Sequence, residues 1–228
     1  GEASISADIE VIEIFLQTLK TSGVSEVHFD LGHVDILRGL LGQAELDDVL
    51  EAQLCELLQR KARDELKDWI MVNIEDEKLG QWLNVLPTLT GSVEVLSAAR
   101  KALVGAPIAV HEAIDQLEVV VDSIIEKGVT VYIDLGEMPG YHYHTGIVFA
   151  GYVEGYGKAL GNGGRYDHVG EAFGRARPAT GFAFDLKSLM IQGQSEASSG
   201  YGIFAPFSAD TESQDQVRIL RSQGNRVV

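Results

Sequence analysis

Apolar residues recur at helical spacing near the start of the chain, at Ile9, Ile12, Leu16 and Leu19, and predict an amphipathic helix. Ser6 or Asp8 is expected to cap it and Gly23 to end it. The period then drops to two. Val27, Phe29 and Leu31 alternate with His28 and Asp30, as in a strand with one buried face. Asp35 to Leu41 reads as a short helix stopped by Gly42. From about 43 to about 104 nearly every residue is a helix former, with Leu46, Leu50, Leu54 and Leu57 as an apolar stripe and Pro87 and Gly91 as breaks. Lying between strand-rich regions, this stretch reads as an inserted helical subdomain. Another helix, Ile108 to Glu126, ends at Gly128.

From Val129 the period is two again. VTVYIDL and YHYHTGIVFAGYV predict adjacent antiparallel strands, with Pro139-Gly140 in or near the connection. A glycine-rich turn is expected at Gly161, Gly163 and Gly164, and a second near Gly170 and Gly174. GFAFDLKSLM starts as a strand and becomes a helix. Residues 193–200 are linker-like, and the remaining chain reads as a small βαβ-like piece. The fold class expected is α+β with a mostly antiparallel sheet and flanking helices. Its core spans 1–192, with the helical insertion at about 43–104 and a C-terminal α/β piece over 200–228. No period of roughly 20–50 residues recurs, so a repeat architecture is not expected.

Composition narrows the partners. The 228 residues are 45% hydrophobic, enough to bury a core without disulfides. Lys and Arg number 18 against 34 Asp and Glu, a net charge of −16. Such a surface repels a phosphate backbone, so no nucleic-acid partner is expected. No apolar run approaches the roughly 18 residues of a membrane span, and no membrane partner is expected. The acidic start, GEASISADIEVIE, lacks the basic region of a signal peptide. The single cysteine, Cys55, excludes a disulfide framework, fits a reducing cytoplasm and sits beside the leucine stripe as a small core residue.

Candidate chemistry concentrates after residue 140. His142 and His144, two apart on a strand, would share a face. With His168 they could ligate zinc, or they could simply line a polar pocket; no metal site or cofactor is assigned. GNGGRYD lacks the Lys-Ser/Thr of a P-loop and the spacing of a dinucleotide fold. Its glycines allow close backbone approach, and Arg165, Tyr166 and Asp167 supply a cation, a phenol and a carboxylate beside it. Tyr141, Tyr143 and Tyr166 suit an aromatic small-ligand pocket, and Asp167 is expected to pair with Arg165 or cap nearby N–H groups. No nucleophile elbow is present.

Three segments, YHYHTGIVF, GGRYDHV and ARPATGFAFDL, together resemble the catalytic domain of histidyl-tRNA synthetases, a class II synthetase fold. In that family they read approximately R-G-L-D-Y-Y-T-G, A-G-G-R-Y-D and G-F-A-x-G-x-E-R. The resemblance reaches about Met190 and implies a partial domain beginning after class II motifs 1 and 2. It puts the family's catalytic Arg on Pro139, its ATP-binding Arg on Ser188, the preceding Glu on Lys187 and a pocket Tyr on His144. ATP activation needs cations beside developing phosphate charge, so the resemblance implies a lost activity. GHVDILRGLL and FGRARPATGFAFDL are similar to a paralogous family, the regulatory subunits of ATP phosphoribosyltransferase. That likeness implies a non-catalytic cytoplasmic subunit that assembles with the short-form catalytic subunit, self-associates and helps to transmit feedback by histidine, bound either in the pocket remnant or at an effector site shared with the partner. Tyr143, His144, Arg165 and Tyr166 would line the pocket remnant. An active synthetase fragment and a ligand-binding domain of another role are the alternatives.

Overall fold

The first apolar stripe forms α1 (Ile5–Thr21), whose buried line is Asp8, Ile12, Phe15 and Leu19. Ser4 is its N-cap residue, and Asp8, read as a cap from the sequence, lies inside the helix. The computed structural model describes residues 1–24, 26–42, 44, 46–126, 128–136, 143–193, 203–206, 210–225 and 227. They divide into two units, Gly1–Gly193 and Gln194–Val228.

After α1 come β1 (His28–His33) and α2 (Val34–Leu41). Helices α3 (Asp48–Gln59), α4 (Arg63–Asn73) and α5 (Glu77–Val85) follow, then a two-residue strand β2 (Thr90–Gly91) and α6 (Glu94–Ala102). The long α7 (Ile108–Ile125) leads into β3 (Thr130–Asp134), β4 (Ile147–Tyr152), β5 (Gly161–Arg165), β6 (Thr180–Phe184) and α8 (Leu186–Gln192). In the second unit α9 (Thr211–Ser222) lies between Ile203 and Val227, which form a parallel bridge.

One six-stranded sheet runs in the order β2-β3-β1-β4-β5-β6. Only β1 and β3 are parallel; the other pairs are antiparallel. Two expectations are corrected here. β3 and β4 are not neighbours, because β1 inserts between them, with Asp30 opposite Tyr132 on one side and Ala150 on the other. The glycines of GNGGR do not turn but form β5. A Cβ on Gly161 would lie 2.7 Å from the Ala183 carbonyl oxygen, and one on Gly163 would lie 2.6 Å from the Phe149 ring. Glycine is used here for close packing rather than for reversal.

Helices α1 and α7 cover one face of the sheet. Phe15 brings five rings together: its centroid is 4.6 Å from Phe184, 5.2 Å from Phe149, 5.4 Å from Phe182 and 6.0 Å from Phe29. Four of these contacts are offset-stacked or edge-on, the arrangements favoured by the ring quadrupole. Gly39 admits α7 close to α2, since a Cβ there would be 2.8 Å from Val110. The insertion buries Leu54, Leu58, Leu66 and Leu83. Cys55 is buried beside them, and burial lifts its thiol to about 11, a core residue rather than a nucleophile. The turn after α3 puts Lys61 at φ +50°, and its Nζ lies 2.5 Å from buried Asp134 at the end of β3. That ion pair ties the insertion to the sheet.

Replacing Phe15 with Ala removes the centre of this ring cluster. We expect a loss of about 3–5 kcal/mol of stability, read as a lower denaturation midpoint in urea at an unchanged slope.

Candidate functional site

The site forms where β5 ends and β4 begins. Arg165 is buried, and its guanidinium turns toward α1. Nε and Nη2 donate to Asp8 Oδ2 at 3.0 and 2.7 Å. Nη1 donates to the Glu2 carbonyl at 3.3 Å and to Asp167 Oδ1 at 3.2 Å, and Nη2 also donates to the Ser4 carbonyl at 3.1 Å. All five N–H groups of the fork are thereby used. Burial works against this charge, but Asp8 and Asp167 outweigh it and hold the guanidinium above its ordinary pKa. Arg165 therefore orients the strand end and is committed to protein acceptors, not aimed at a ligand.

Asp167 closes the base of the next loop. Its carboxylate accepts from the Ala179 amide at 2.8 Å, and its own amide donates to Thr145 Oγ1 at 2.9 Å. The Thr145 amide in turn donates to the Arg165 carbonyl at 2.7 Å. These bonds gather the three rings expected in the pocket. Tyr143 and Tyr166 stack at 5.2 Å, His144 stands edge-on to Tyr143 at 5.1 Å, and the His144–Tyr166 separation is 6.4 Å. Two missing side chains make the room. A Cβ on Gly164 would lie 2.9 Å from His144 Nδ1, and one on Gly181 would lie 2.5 Å from the Tyr166 hydroxyl. Tyr143 remains 50% exposed, so the ring cluster opens to solvent.

His144 Nδ1 is 3.2 Å from the Arg165 carbonyl oxygen. A carbonyl only accepts, so Nδ1 carries the proton and Nε2 presents its lone pair. Burial lowers the imidazole's pKa and favours this neutral form. The arrangement sets two stacked aromatic rings beside one nitrogen acceptor, a surface suited to a flat ligand ring bearing an N–H.

His144 precedes β4 and does not lie on a strand. His142, Tyr141, Pro139, Gly140 and the linker-like 194–200 lie outside the described residues. His168 is exposed and pairs with Glu171 at 2.8 Å. Among the described residues no three His, Cys, Asp or Glu side chains are grouped to hold a metal ion.

Ser188 is buried on α8. Its hydroxyl lies 2.6 Å from the Tyr156 hydroxyl and donates to Asp185 Oδ2 at 2.8 Å. Asp185 also caps α8. The position that the synthetase resemblance assigns to a guanidinium is thus a small, closed hydroxyl network.

Two concavities lie away from these rings. A cavity of about 70 Å³ opens on the sheet face opposite α1, lined by Asp30, Val148, Ala150, Tyr152, Asn162 and Asp134 among others. A larger groove of about 1290 Å³ follows the C-terminal half of α1 and includes Glu10, Glu13, Lys20, Glu26, His28 and Glu154. Neither contains the ring cluster.

The sheet and its helical layer have the fold of class II histidyl-tRNA synthetase-like proteins. A solved ATP phosphoribosyltransferase regulatory subunit/histidyl-tRNA synthetase from Bacillus halodurans aligns with a TM-score of 0.75 at 26% identity, over 100% of this chain and 60% of that one. The histidyl-tRNA synthetase family model matches residues 1–189, and the chain belongs to that family. The ATP phosphoribosyltransferase regulatory subunit of Pseudomonas syringae pv. tomato is 49% identical over 100% of this chain and 58% of its own length. A chain from an ATP phosphoribosyl transferase complex of Thermotoga maritima shares the fold, with a TM-score of 0.61 at 20% identity over 79% of this chain and 61% of that one. The chain spans less than two thirds of the curated relatives it matches. Among the described residues no helix is long and apolar enough to cross a membrane.

Two outcomes follow from the buried polar groups. Asp8→Asn leaves the Arg165 charge buried without its main counter-charge, and should cost about 3–5 kcal/mol in a denaturant titration. The second concerns His33, which is buried. Its Nδ1 accepts from the Asp35 amide at 3.2 Å, and its Nε2 faces Gln116 Oε1 at 3.2 Å. Burial lowers its pKa despite Gln116 and nearby Asp35 and Asp8, so the folded state takes up a proton at lower pH than the unfolded chain. Above the ordinary imidazole pKa of about 6.5 the term vanishes, and stability falls as pH drops below it. Melting curves across that range should show the fall, and His33→Gln should make it shallower.

Proposed function

We infer that the protein is a non-catalytic regulatory subunit of ATP phosphoribosyltransferase, acting in the cytoplasm with the short-form catalytic subunit in the first step of histidine biosynthesis. The observation that carries this reading is Ser188. A synthetase needs a cation there, and this chain has a buried hydroxyl already bonded to Tyr156 and Asp185. Serine cannot replace a planar five-donor fork. The names of its 42–49% identical relatives support the same assignment. The −16 charge also argues against a tRNA substrate.

In this reading the Tyr143–His144–Tyr166 cluster is the retained histidine pocket. The effector's imidazole would pack against the stacked tyrosines and donate its N–H to His144 Nε2. Arg165 serves indirectly, by fixing the backbone that carries Tyr166 and accepts from His144. Feedback then consists of a coupling free energy between this pocket and the partner's active site.

Titrating the full-length protein into the short-form catalytic subunit should change the rate of phosphoribosyl-ATP formation and its sensitivity to histidine, each by about 5- to 150-fold. A flat response from two folded proteins would remove this reading. Histidine-dependent ATP–pyrophosphate exchange should be absent, and its detection would favour a synthetase. Tyr166→Ala should raise the histidine concentration for half-inhibition by roughly three- to tenfold, the worth of one lost stacking contact.

A further inference from the structure

The small cavity and the ring cluster belong to one side of the sheet. Side chains along a strand face alternate sides. On β5, Gly161, Gly163 and Arg165 face the helical layer: a Cβ on either glycine would meet the Phe184 or Phe149 ring, and Arg165 reaches Asp8 of α1. Asn162 and Gly164 therefore face the other way. His144 lies over Gly164, its Nδ1 2.9 Å from where a Cβ would stand. The register carries this arrangement across three strands. Ala150 pairs with Asp30 on one side and Asn162 on the other, and Val148 pairs with Gly32 and Gly164. Two rows result, Asp30–Ala150–Asn162 and Gly32–Val148–Gly164, about 7 Å apart along the strands. The first row carries polar groups of the cavity of about 70 Å³, and the second ends beneath His144.

The lining defines what the cavity accepts. Asp30, Asn162 and Tyr152 supply a carboxylate, an amide and a phenol, beside the small residues Gly32 and Ala150. Asp134 completes the wall, and its carboxylate is met by Lys61 Nζ at 2.5 Å and by the Gly136 amide at 3.0 Å. Lysine, arginine and histidine are absent from the described lining residues. The charged lining is thus carboxylate only, which repels an anionic group and favours a cationic hydrogen-bond donor. The volume suits a small head group, not a second ring.

We propose that this cavity is the ammonium subsite of the effector pocket, holding the primary amine of a ligand whose ring packs on Tyr143 and Tyr166. Asp30 accepts the charged hydrogen bond from the amine, and the Asn162 side-chain oxygen accepts a second. The inference rests on the pocket reading above and narrows it to a chemical class, imidazoles that carry a primary ammonium on a short chain. The row separation is within reach of the carbon chain that joins ring and amine in histidine, with a hydrogen bond at each end. Asp30 is then a specificity residue, and a carboxylate on the ligand has to point away from it.

The test is calorimetry on the full-length protein with histidine, with histamine, which keeps the ammonium and lacks the carboxylate, and with imidazole propionate, which keeps the carboxylate and lacks the ammonium. Wild type should bind histamine within about tenfold of histidine, and imidazole propionate at least about thirtyfold more weakly. Asp30→Asn should weaken histidine and histamine by about tenfold or more and leave imidazole propionate unchanged. Asn162→Leu, at an exposed position, crowds the same cavity and should have the same selective effect. Glu154→Gln removes an equal charge elsewhere on the surface and should stay within about threefold of wild type; circular dichroism checks each fold. Imidazole propionate binding as well as histidine, or a folded Asp30→Asn with wild-type histidine affinity, overturns the ammonium subsite. If Tyr166→Ala still weakens histidine in that case, the pocket reading survives. Equal weakening of all three ligands by Asp30→Asn gives the residue a structural role and also overturns the subsite. Failure of the wild type to bind histidine overturns both.

Discussion

A single guanidinium organises the functional end of this molecule. Arg165 leaves β5, meets Asp8 from α1, takes two carbonyls from the segment before that helix, and reaches Asp167 at the base of the following loop. A buried ion pair is expensive to desolvate and repays that cost only when every donor and lone pair is met. Here the donor side is complete. Helix, strand end and loop base are therefore held in one arrangement, and the Arg165 carbonyl, fixed by the same residue, sets the tautomer of His144. The geometry of the ring cluster is downstream of that one side chain.

Much of the fold was legible because it rests on period. The helices α1, α2 and α7 follow their apolar stripes, and the α+β class with a mostly antiparallel sheet follows from the alternating segments. β5 was misread because glycine is a turn signal when taken alone. Its close packing against β4 and β6 is a property of neighbours that the local pattern does not contain. The β3–β4 adjacency failed for a similar reason, since β1 enters between them from more than a hundred residues upstream. Within the site, Tyr143, His144 and Tyr166 were found from residue type and proximity, and they do meet. The role of Arg165 was not, because Asp8 is 157 residues away. One signal was available. Asp8 shares the stripe of Ile12, Phe15 and Leu19, and an acid on a buried stripe requires a cation somewhere.

The acidic composition also has a structural use. Asp47, Asp76, Asp185 and Asp210 each cap a helix, accepting amide protons at the start of α3, α5, α8 and α9. A carboxylate at a helix N-terminus meets orphan N–H groups and the positive end of the helix dipole. Part of the negative charge is thus spread among local partners, which lets a chain with few cations remain compact.

The sheet topology carries a kinetic consequence. His28 pairs with Thr130 and also with Tyr152, so the central strand β1 finds both its neighbours across roughly a hundred residues of chain, a loop whose closure entropy must be met before any ladder forms. Within the insertion, α3 packs on α4 and α4 on α5, its neighbours in sequence, and these helices can condense first. Their condensation shortens the effective loop that β1 must close. The insertion therefore acts during folding as an internal scaffold for the most non-local pairing in the molecule, whatever it does once the sheet is complete.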